Sequence, residues 1–352
     1  MTDLSRDIAT RVGAAFKTGS PIGIAGAGTK SFLGRPSPSA SALDVTGHRG
    51  IIEYDPAELI LVARAGTPLQ EIEDLLDSRQ QMLGFEPPFI AQGATLGGAV
   101  AAGLAGPRRA YSGAVRDFIL GASFVNGKGE IITSGGKVMK NVAGFDLFRP
   151  MAGSMGTLGV LLKVALRIVP RPEVEETLLH EETDESTALE KMNRWAMQTQ
   201  AISATAWDGE VIRIRLSGSP AGLAHGRAQI GGDRLTETGY WNDLNNFHLD
   251  FFKQEGRLWR IALAPMCGPV NDSAPQLIDW GGAQRWLISD APHDEIRDRV
   301  ARLGGHASCY SDDPALPTFH PLQGDLLAIN QAFKAALDPA GILNPGCLDP
   351  EL

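Results

Sequence analysis

The chain has 352 residues, 43% of them hydrophobic and 21% charged, which is the composition of an ordinary globular protein long enough for two domains. Its 32 basic and 41 acidic side chains give a formal net charge of −9, which argues against a nucleic-acid-binding or anionic-membrane surface, and no apolar run is long enough to cross a bilayer. Its three cysteines, Cys267, Cys309 and Cys347, are too scattered for a disulfide framework or an iron–sulfur cluster and favour a reducing compartment.

The N-terminal stretch places Leu4, Ile8, Val12 and Phe16 on one helical face and also carries acidic residues. This pattern predicts a helix that docks onto the rest of the protein, and it is unlike a signal peptide. A short strand follows and runs into a first glycine-rich loop.

This first loop has the sequence PIGIAGAGTKS over residues 21–31. It is not a dinucleotide fingerprint, because Ser31 stands where the third glycine is needed and the prolines after it forbid an immediate helix. It is not a Walker A loop either, because such a loop needs a glycine directly before the lysine, and here Thr29 stands directly before Lys30. What remains is a cluster of backbone N–H groups beside a hydroxyl and a lysine, which suits a pyrophosphate, although a plain tight turn has a similar sequence.

Residues 43–65 alternate as strand, turn and strand, and Pro68 opens a predicted helix to about Leu76. A second glycine-rich segment, residues 85–103, precedes a helix of small residues. Bare backbone there would allow a flat ring to lie against the main chain, or would simply allow close helix packing.

Residues 118–125 and 130–134 predict a hairpin through Asn126 and Gly127. The third glycine-rich loop carries glycines at 153, 156 and 159 and leads into a strand over residues 158–169. By itself it fits a strained turn as well as a ligand-binding loop. Three such loops spaced among strands are what a long, extended cofactor would need.

The middle of the chain has a different pattern. It begins with a cluster of acidic residues at 173–185, which indicates a solvated face. The sequence then predicts a helix at 185–198 and a hairpin at 201–217. Further strands near 258–264 and 285–289 and a helix at 294–303 suggest a small α+β cap. A last helix over 323–337 should return to the first domain. We therefore expect a domain at 1–172, a cap for substrate or partner binding at 173–318, and a C-terminal segment at 319–352.

Four motifs together resemble a known family. Residues 26–30, 94–98, 111–117 and 153–159 occur in the order and spacing of the PCMH-type FAD-binding domain of the vanillyl-alcohol oxidase superfamily. The tail DPAGILNPG, residues 338–346, is similar to the signature of its hydroxyacid-oxidising members. The sequence KNVAGFDL at residues 140–147 and the short cap make this resemblance narrower: the chain resembles the FAD-binding subunits of glycolate oxidase.

The resemblance implies an α+β fold, with a two-subdomain PCMH-type FAD-binding domain and a smaller α+β cap domain. It implies that residues 26–30 hold the pyrophosphate of FAD and that Thr95 to Gly98 lie near the pyrophosphate and flavin. It further implies that Gly113, Asp117 and residues 153–159 line the rest of the FAD-binding site. The implied cofactor-binding residues are Gly26, Ala27, Gly28, Thr29, Lys30, Thr95, Leu96, Gly97, Gly98, Gly113, Asp117, Gly153, Ser154, Gly156, Thr157 and Gly159. No histidine or cysteine occurs at 26–31 or 108–117, where covalent relatives attach flavin, so we expect dissociable FAD.

The resemblance further implies oxidation of glycolate, a small 2-hydroxy acid, to glyoxylate, with electrons passed to a sister flavoprotein and an iron–sulfur subunit. We expect a cytoplasmic location, with a membrane reached only through partners. Two alternatives stay open: an assembly or electron-relay subunit without substrate oxidation of its own, and a stand-alone flavin dehydrogenase for another small molecule.

Substrate oxidation would need a base for the hydroxyl and a cation for the carboxylate. Arginine suits a carboxylate because its planar fork binds both oxygens, and Arg108, Arg109 and Arg149 are candidates. The seven histidines include no His-x-His pair, and the His-rich metal motif of larger hydroxyacid dehydrogenases is missing. We therefore expect no metal site and assign no catalytic residue.

Overall fold

The computed structural model describes residues 2–34, 40–136, 146–235, 239–270, 274–310 and 317–352. Most of the 140–147 run that contributed to the family resemblance lies outside these residues. The predicted N-terminal helix is confirmed as α1, Ser5–Thr18, which buries Ile8 and Val12. It ends at Gly19, whose positive φ of 63° lets its N–H reach the last helical carbonyls.

The first half of the chain forms the part that contains the glycine-rich loops. Its helices and strands are β1 (Ile22–Ala25), β2 (Ser41–Asp44), β3 (Ile51–Asp55), β4 (Ile60–Arg64), α2 (Leu69–Asp77), β5 (Gln81–Met82), α3 (Leu96–Ala102), α4 (Arg109–Ser112), α5 (Val115–Phe118), β6 (Ile119–Val125), β7 (Ile131–Gly135), β8 (Val160–Arg167) and β9 (Val169–Pro170). A parallel pair, β1 and β2, stands apart from a five-stranded antiparallel sheet in the order β3-β4-β8-β6-β7.

The five-stranded sheet is organised around β8, the strand predicted after the third glycine-rich loop. β8 pairs with β4 on one side and β6 on the other, and every one of its residues except Lys163 and Arg167 is buried. The predicted helix at 68–76 is confirmed as α2, which buries Leu69, Ile72 and Leu76 completely. The 118–134 hairpin is confirmed as β6 and β7. Apolar periodicity predicted α2 because this helix buries one face, whereas β8 is buried on both faces: Leu161 and Val164 belong to one cluster of the core, and Val160 and Leu162 belong to another.

The cap is built on an eight-stranded antiparallel sheet in the order β13-β10-β12-β11-β15-β16-β14-β17. Its helices and strands are β10 (Val174–Glu181), α6 (Glu185–Gln198), β11 (Ile202–Trp207), β12 (Val211–Gly218), α7 (Pro220–Ile230), β13 (Asp233–Arg234), α8 (Tyr240–Asn245), β14 (Leu258–Ala262), β15 (Gln276–Asp279), β16 (Gln284–Ile288), α9 (His293–Arg302) and β17 (His306–Tyr310). The predicted hairpin, strands and two helices are all present, so the α+β cap is confirmed.

The last helix, α10 (Gly324–Leu337), carries the chain back to the first half. Leu343 forms a parallel bridge with Ile22, and Ile342 and Leu343 are fully buried in the core beneath α1. Lys334 and Asp338 form a buried ion pair at the end of α10. Among the described residues, no helix is both long and apolar enough to cross a membrane.

Candidate functional site

A cavity of about 420 Å³ opens where the three glycine-rich loops meet. This volume falls within the range of small-molecule and cofactor pockets. Eleven of the sixteen predicted cofactor-binding residues line it: Gly26, Ala27, Gly28, Thr29, Lys30, Thr95, Gly97, Gly98, Ser154, Gly156 and Gly159. The tertiary structure therefore brings residues from 26 to 159 to one surface, much of it bare backbone.

The first glycine-rich loop begins after Ala25, the last residue of β1, and packs directly against the second glycine-rich loop. A side-chain carbon at Gly26 would lie 2.9 Å from the hydroxyl of Thr95, so this position has no room for one. Gly28 adopts a positive φ of 74°, which turns the chain so that the N–H of Ser31 donates to the Gly28 carbonyl. The resulting turn presents Thr29 and Lys30 to the cavity.

Lys30 brings a buried positive charge to this cavity. Only 8% of the residue is exposed, and its ammonium donates to the Thr29 hydroxyl at 3.2 Å and lies 5.5 Å from the centre of the Phe89 ring. It forms no ion pair with any residue in the described ranges. Burial lowers the pKa of Lys30 to about 8. A buried ammonium without a counter-charge makes this end of the cavity selective for an anion.

The second loop enters α3 through Thr95, whose hydroxyl accepts a hydrogen bond of 3.2 Å from the N–H of Gly98. This N-cap fixes the orientation of the first helical turn. Gly97 packs against Ala65 so closely that an added side-chain carbon would lie 2.7 Å from the Ala65 methyl. Leu96, also predicted to contact the cofactor, points into the hydrophobic core and does not line the cavity.

The third loop is attached to α3 by backbone hydrogen bonds. The N–H groups of Gly153 and Met155 donate to the carbonyls of Val100 and Ala101 at 3.0 and 2.9 Å. Thr157 supports the loop from behind, since its hydroxyl donates to the Ser154 carbonyl at 2.7 Å. Gly153 and Thr157 thus shape the loop, whereas Ser154, Gly156 and Gly159 line the cavity.

Two residues of the C-terminal tail also line the cavity, Asn344 and Cys347. The sequence predicts a family signature in this tail but no contact with the cavity. Asn344 accepts a hydrogen bond from the N–H of Ile24 and donates one to the carbonyl of Met155. The sequence offers no cysteine at 26–31 or 108–117, but tertiary packing brings the Cys347 thiol, which is distant in sequence, to the same cavity.

The two remaining predicted residues lie in a separate turn. Asp117 accepts a hydrogen bond of 2.8 Å from the N–H of Ala114 and so caps the short helix α5, and Gly113 precedes this turn with a φ of 115°. Neither residue is among those lining the cavity. Their role in the FAD wall stays a prediction.

The three candidate arginines have different surroundings. Arg108 pairs with Glu86 at 3.1 Å and with Glu175, so its charge is already balanced within the protein. Arg149 is half exposed and pairs with Asp146.

Arg109 instead stacks 4.3 Å from the centre of the Trp280 ring and makes no ion pair with a described residue. Of the three arginines, only Arg109 keeps its charge available to a ligand.

Comparison with known proteins agrees with this geometry. The family model described as an FAD binding domain matches residues 5–135. The glycolate oxidase subunit GlcE of Escherichia coli (strain K12) is 42% identical over 351 residues, 99% of each chain. The glycolate oxidase subunit GlcD of Bacillus subtilis (strain 168) is 35% identical over 130 residues, which are 37% of this chain and 27% of that one.

A solved structure, an alkyldihydroxyacetonephosphate synthase, superposes with a TM-score of 0.68 at 14% identity, covering 96% of this chain and 75% of that chain. At this identity it shows the fold alone. The fold, the loop-lined cavity and these matches define an FAD-dependent oxidoreductase of the PCMH type. More particularly, the chain belongs to the family of glycolate oxidase GlcE subunits. The expected family, fold class and cofactor are therefore confirmed.

Proposed function

We propose that this chain is the FAD-binding subunit of a glycolate-oxidising complex, in which glycolate becomes glyoxylate and electrons pass through the flavin to partner subunits. One observation carries the proposal: three glycine-rich loops and Lys30 line a single cavity in a chain similar over its whole length to a glycolate oxidase subunit. The proposed partners are a sister flavoprotein and an iron–sulfur subunit.

The residues of the cavity fit FAD. Residues 26–30 offer backbone N–H groups and the Lys30 ammonium to the pyrophosphate, which is anionic. Thr95, Gly97 and Gly98 would lie near the pyrophosphate and flavin, and the third loop would form the opposite wall. We expect FAD to dissociate on denaturation, and the Cys347 thiol in the cavity makes this expectation worth testing directly.

When bound, FAD would accept the electrons of the oxidation; the protein supplies the binding, orientation and electrostatics. The Lys30 ammonium would offset the pyrophosphate charge. Gly26, Gly97 and Gly156 let the loops pack closely against Thr95, Ala65 and Asn344, and this packing would present their backbone to the cofactor. Asn344 would hold the first and third loops at a constant separation.

A relay or assembly role without substrate oxidation is the second candidate. It is favoured by the engagement of Arg108 and Arg149 with carboxylates of this chain.

The test is the visible spectrum of the purified chain before and after anaerobic addition of glycolate, alone and with the partner subunits. Bound flavin that glycolate bleaches in the isolated chain supports oxidation here. Bleaching only after the partners are added supports the relay role. A protein that is colourless and cannot be reconstituted with FAD contradicts the proposal, and yellow colour that stays on the denatured polypeptide contradicts dissociable FAD.

A further inference from the structure

Phe32 links the first glycine-rich loop to the cap. It stands between Ser31 and Leu33, which line the cofactor cavity, but it is not itself among the lining residues. The centre of its ring lies 6.1 Å from that of Phe247 and 5.2 Å from that of Tyr310. Phe247 follows α8 and Tyr310 ends β17, so both contacts are made with the cap. Phe32 therefore joins the wall of the cofactor cavity to the cap.

Phe89 makes a second link between the same two parts of the chain. The centre of its ring lies 5.8 Å from that of Phe32 and 5.5 Å from that of Phe247, and its N–H donates to the side chain of Asn246 at 2.8 Å. The ammonium of Lys30, the one charged side chain in residues 21–31, lies 5.5 Å from the centre of the Phe89 ring. The four rings form a boundary cluster: Phe32, Phe89, Phe247 and Tyr310.

Two residues of the boundary cluster have a backbone conformation that residues other than glycine rarely adopt. The φ of Phe89 is 66° and the φ of Phe247 is 61°. Such a conformation is unfavourable for a bulky residue and persists only where the surrounding contacts hold it. The rings of these two residues pack on each other across the boundary, so each is among the contacts that hold the other. Separation of the cap from the first half of the chain would release both, and the boundary can therefore exist in a docked and a released state.

The backbone hydrogen bonds of the first loop are internal to it. Between residues 26 and 34, those that the structure describes run from the N–H of Ser31 to Gly28 and from the N–H of Leu33 to Lys30. Lys30 is buried without a counter-charge, which disfavours this position of the loop while no anion is bound. A bound pyrophosphate would balance this charge and favour the same position. FAD should therefore bind this loop conformation better than one in which Lys30 reaches water, and such a difference in affinity couples a ligand to a conformation.

We propose that Phe32 transmits the binding of FAD to the cap: FAD holds the first loop in the position described here, and Phe32 then holds Phe247 and Tyr310 against it. Without FAD the loop moves towards solvent, Phe32 withdraws and the cap is released from the first half of the chain. Phe32 is a positioning residue, because it contacts the cap and does not line the cavity. The coupling requires FAD in the cavity but not oxidation of glycolate by this chain. It means that only the FAD-bound chain presents a fixed cap to a substrate or partner.

The test is amide hydrogen exchange of the purified chain, measured by mass spectrometry with and without saturating FAD and without glycolate. In the wild type, FAD should slow exchange about 5-fold or more in residues 240–252 and in β17, although no described residue of the cap lines the cavity. Phe32→Ala should still bind FAD, as judged by its visible spectrum, but FAD should no longer slow exchange in the cap. Phe333→Ala is the matched control and should respond like the wild type, because Phe333 is a half-buried residue of α10 that packs on the same core.

Coupling acts in both directions, so a change in the cap should also weaken FAD binding. Tyr310→Leu removes a ring of the cap that contacts Phe32 but does not line the cavity, and it should raise the dissociation constant of FAD about 5-fold. A side chain that merely fills space in the cap would not change this constant. Phe251→Leu is the control for this variant, because the described ring contact of Phe251 is with Phe252 of the cap itself.

Equal exchange in the cap with and without FAD, in a wild-type chain whose spectrum shows bound FAD, overturns the proposal and leaves the proposed function intact. Full protection of the cap by FAD in Phe32→Ala, or an unchanged FAD affinity in Tyr310→Leu, also overturns it. If Phe32→Ala does not fold, as judged by circular dichroism and thermal unfolding, exchange in the wild type and the affinity of Tyr310→Leu decide. A wild-type chain that binds no FAD contradicts both the proposed function and this coupling, and the spectrum shows this before exchange is measured.

Discussion

The side-chain amide of Asn344 donates a hydrogen bond of 2.6 Å to the carbonyl of Met155, a residue 189 positions earlier in the chain. The same amide accepts a hydrogen bond of 2.8 Å from the N–H of Ile24. One tail residue thus joins the strand before the first glycine-rich loop to the middle of the third. The C-terminal segment therefore forms part of the wall of the cofactor cavity, together with the three glycine-rich loops.

Asn344→Ala should weaken FAD binding about 10-fold or more, because two hydrogen bonds that hold the cavity walls are lost and each contributes about 1 kcal/mol. The dissociation constant can be measured by quenching of FAD fluorescence. Asn330→Ala is the matched control, since Asn330 lies on α10 and, among the described residues, donates to the Leu326 carbonyl of its own helix. Equal FAD affinity in the two variants would refute the role of Asn344.

Lys30 should make FAD binding depend on pH. Its pKa in the free protein is lowered to about 8 by burial, and a bound pyrophosphate would favour the charged form. FAD affinity should therefore fall as the pH rises through 8, and the affinity of Lys30→Met should be lower at pH 7 and nearly independent of pH. Lys17→Met, on the exposed side of α1, should behave like the wild type. A wild-type affinity that is constant from pH 7 to 10 would rule out Lys30 as the anion-binding group.

The same lysine should destabilise the protein without FAD. In the unfolded chain Lys30 keeps its proton up to its ordinary pKa of 10.5, whereas in the folded chain it loses the proton near 8. The unfolded state therefore binds more protons between these values, so stability should rise with pH in this window, by roughly 3 kcal/mol at most. Chemical unfolding of the FAD-free protein should show this rise in the wild type and not in Lys30→Met. If both proteins show the same rise of stability with pH, the rise comes from groups other than Lys30.

The Lys334–Asp338 pair should contribute strongly to stability. Lys334 donates to Asp338 at 2.7 Å and also to the carbonyls of Thr157 and Leu343, all within buried surroundings. Lys334→Met leaves a buried carboxylate without its counter-charge and should cost about 3–5 kcal/mol in urea unfolding. Lys253→Met removes the exposed pair with Asp250 and should change the free energy of unfolding far less. Similar losses in both variants would contradict the buried pair's special contribution.

Glu86 should hold the cap against the first half of the chain. Its carboxylate pairs with Arg108 at 3.1 Å and with Arg215 of β12 at 2.8 Å. Burial raises the pKa of Glu86, but the two arginines outweigh burial, so the pKa lies below its ordinary value. The ion pairs of Glu86 therefore stabilise the folded protein at neutral pH, and this stabilisation is lost as the pH falls through the lowered pKa of Glu86.

Glu86→Gln should leave both arginines without this counter-charge and increase hydrogen exchange in β12 and in the segment before Arg108. Glu58→Gln, at an exposed position, is the control. Unchanged exchange at the boundary in Glu86→Gln would show that apolar contacts alone hold the cap.

Local pattern was enough to predict many of the helices and strands, and the family resemblance of the ordered motifs gave the cofactor. The spacing of Ile8 and Val12 determined a helix, and the glycines at 26, 97 and 156 marked the loops that line the cavity, because backbone sterics and apolar period act over a few residues. The order of these motifs along the chain then determined the FAD-binding family. None of this required knowledge of distant contacts.

Only the tertiary structure decided which residues meet. It brought Asn344 to Met155, paired Arg108 with Glu86, and buried Asp279 beside Arg260. Nothing near Arg108 or Arg109 in the sequence tells which guanidinium is already paired, because Glu86, Glu175 and Trp280 reach them through packing between segments, whereas Arg149 pairs with Asp146 three residues earlier. The charge state and availability of a side chain depend on burial and on neighbours distant in sequence, and these are properties of the folded chain alone.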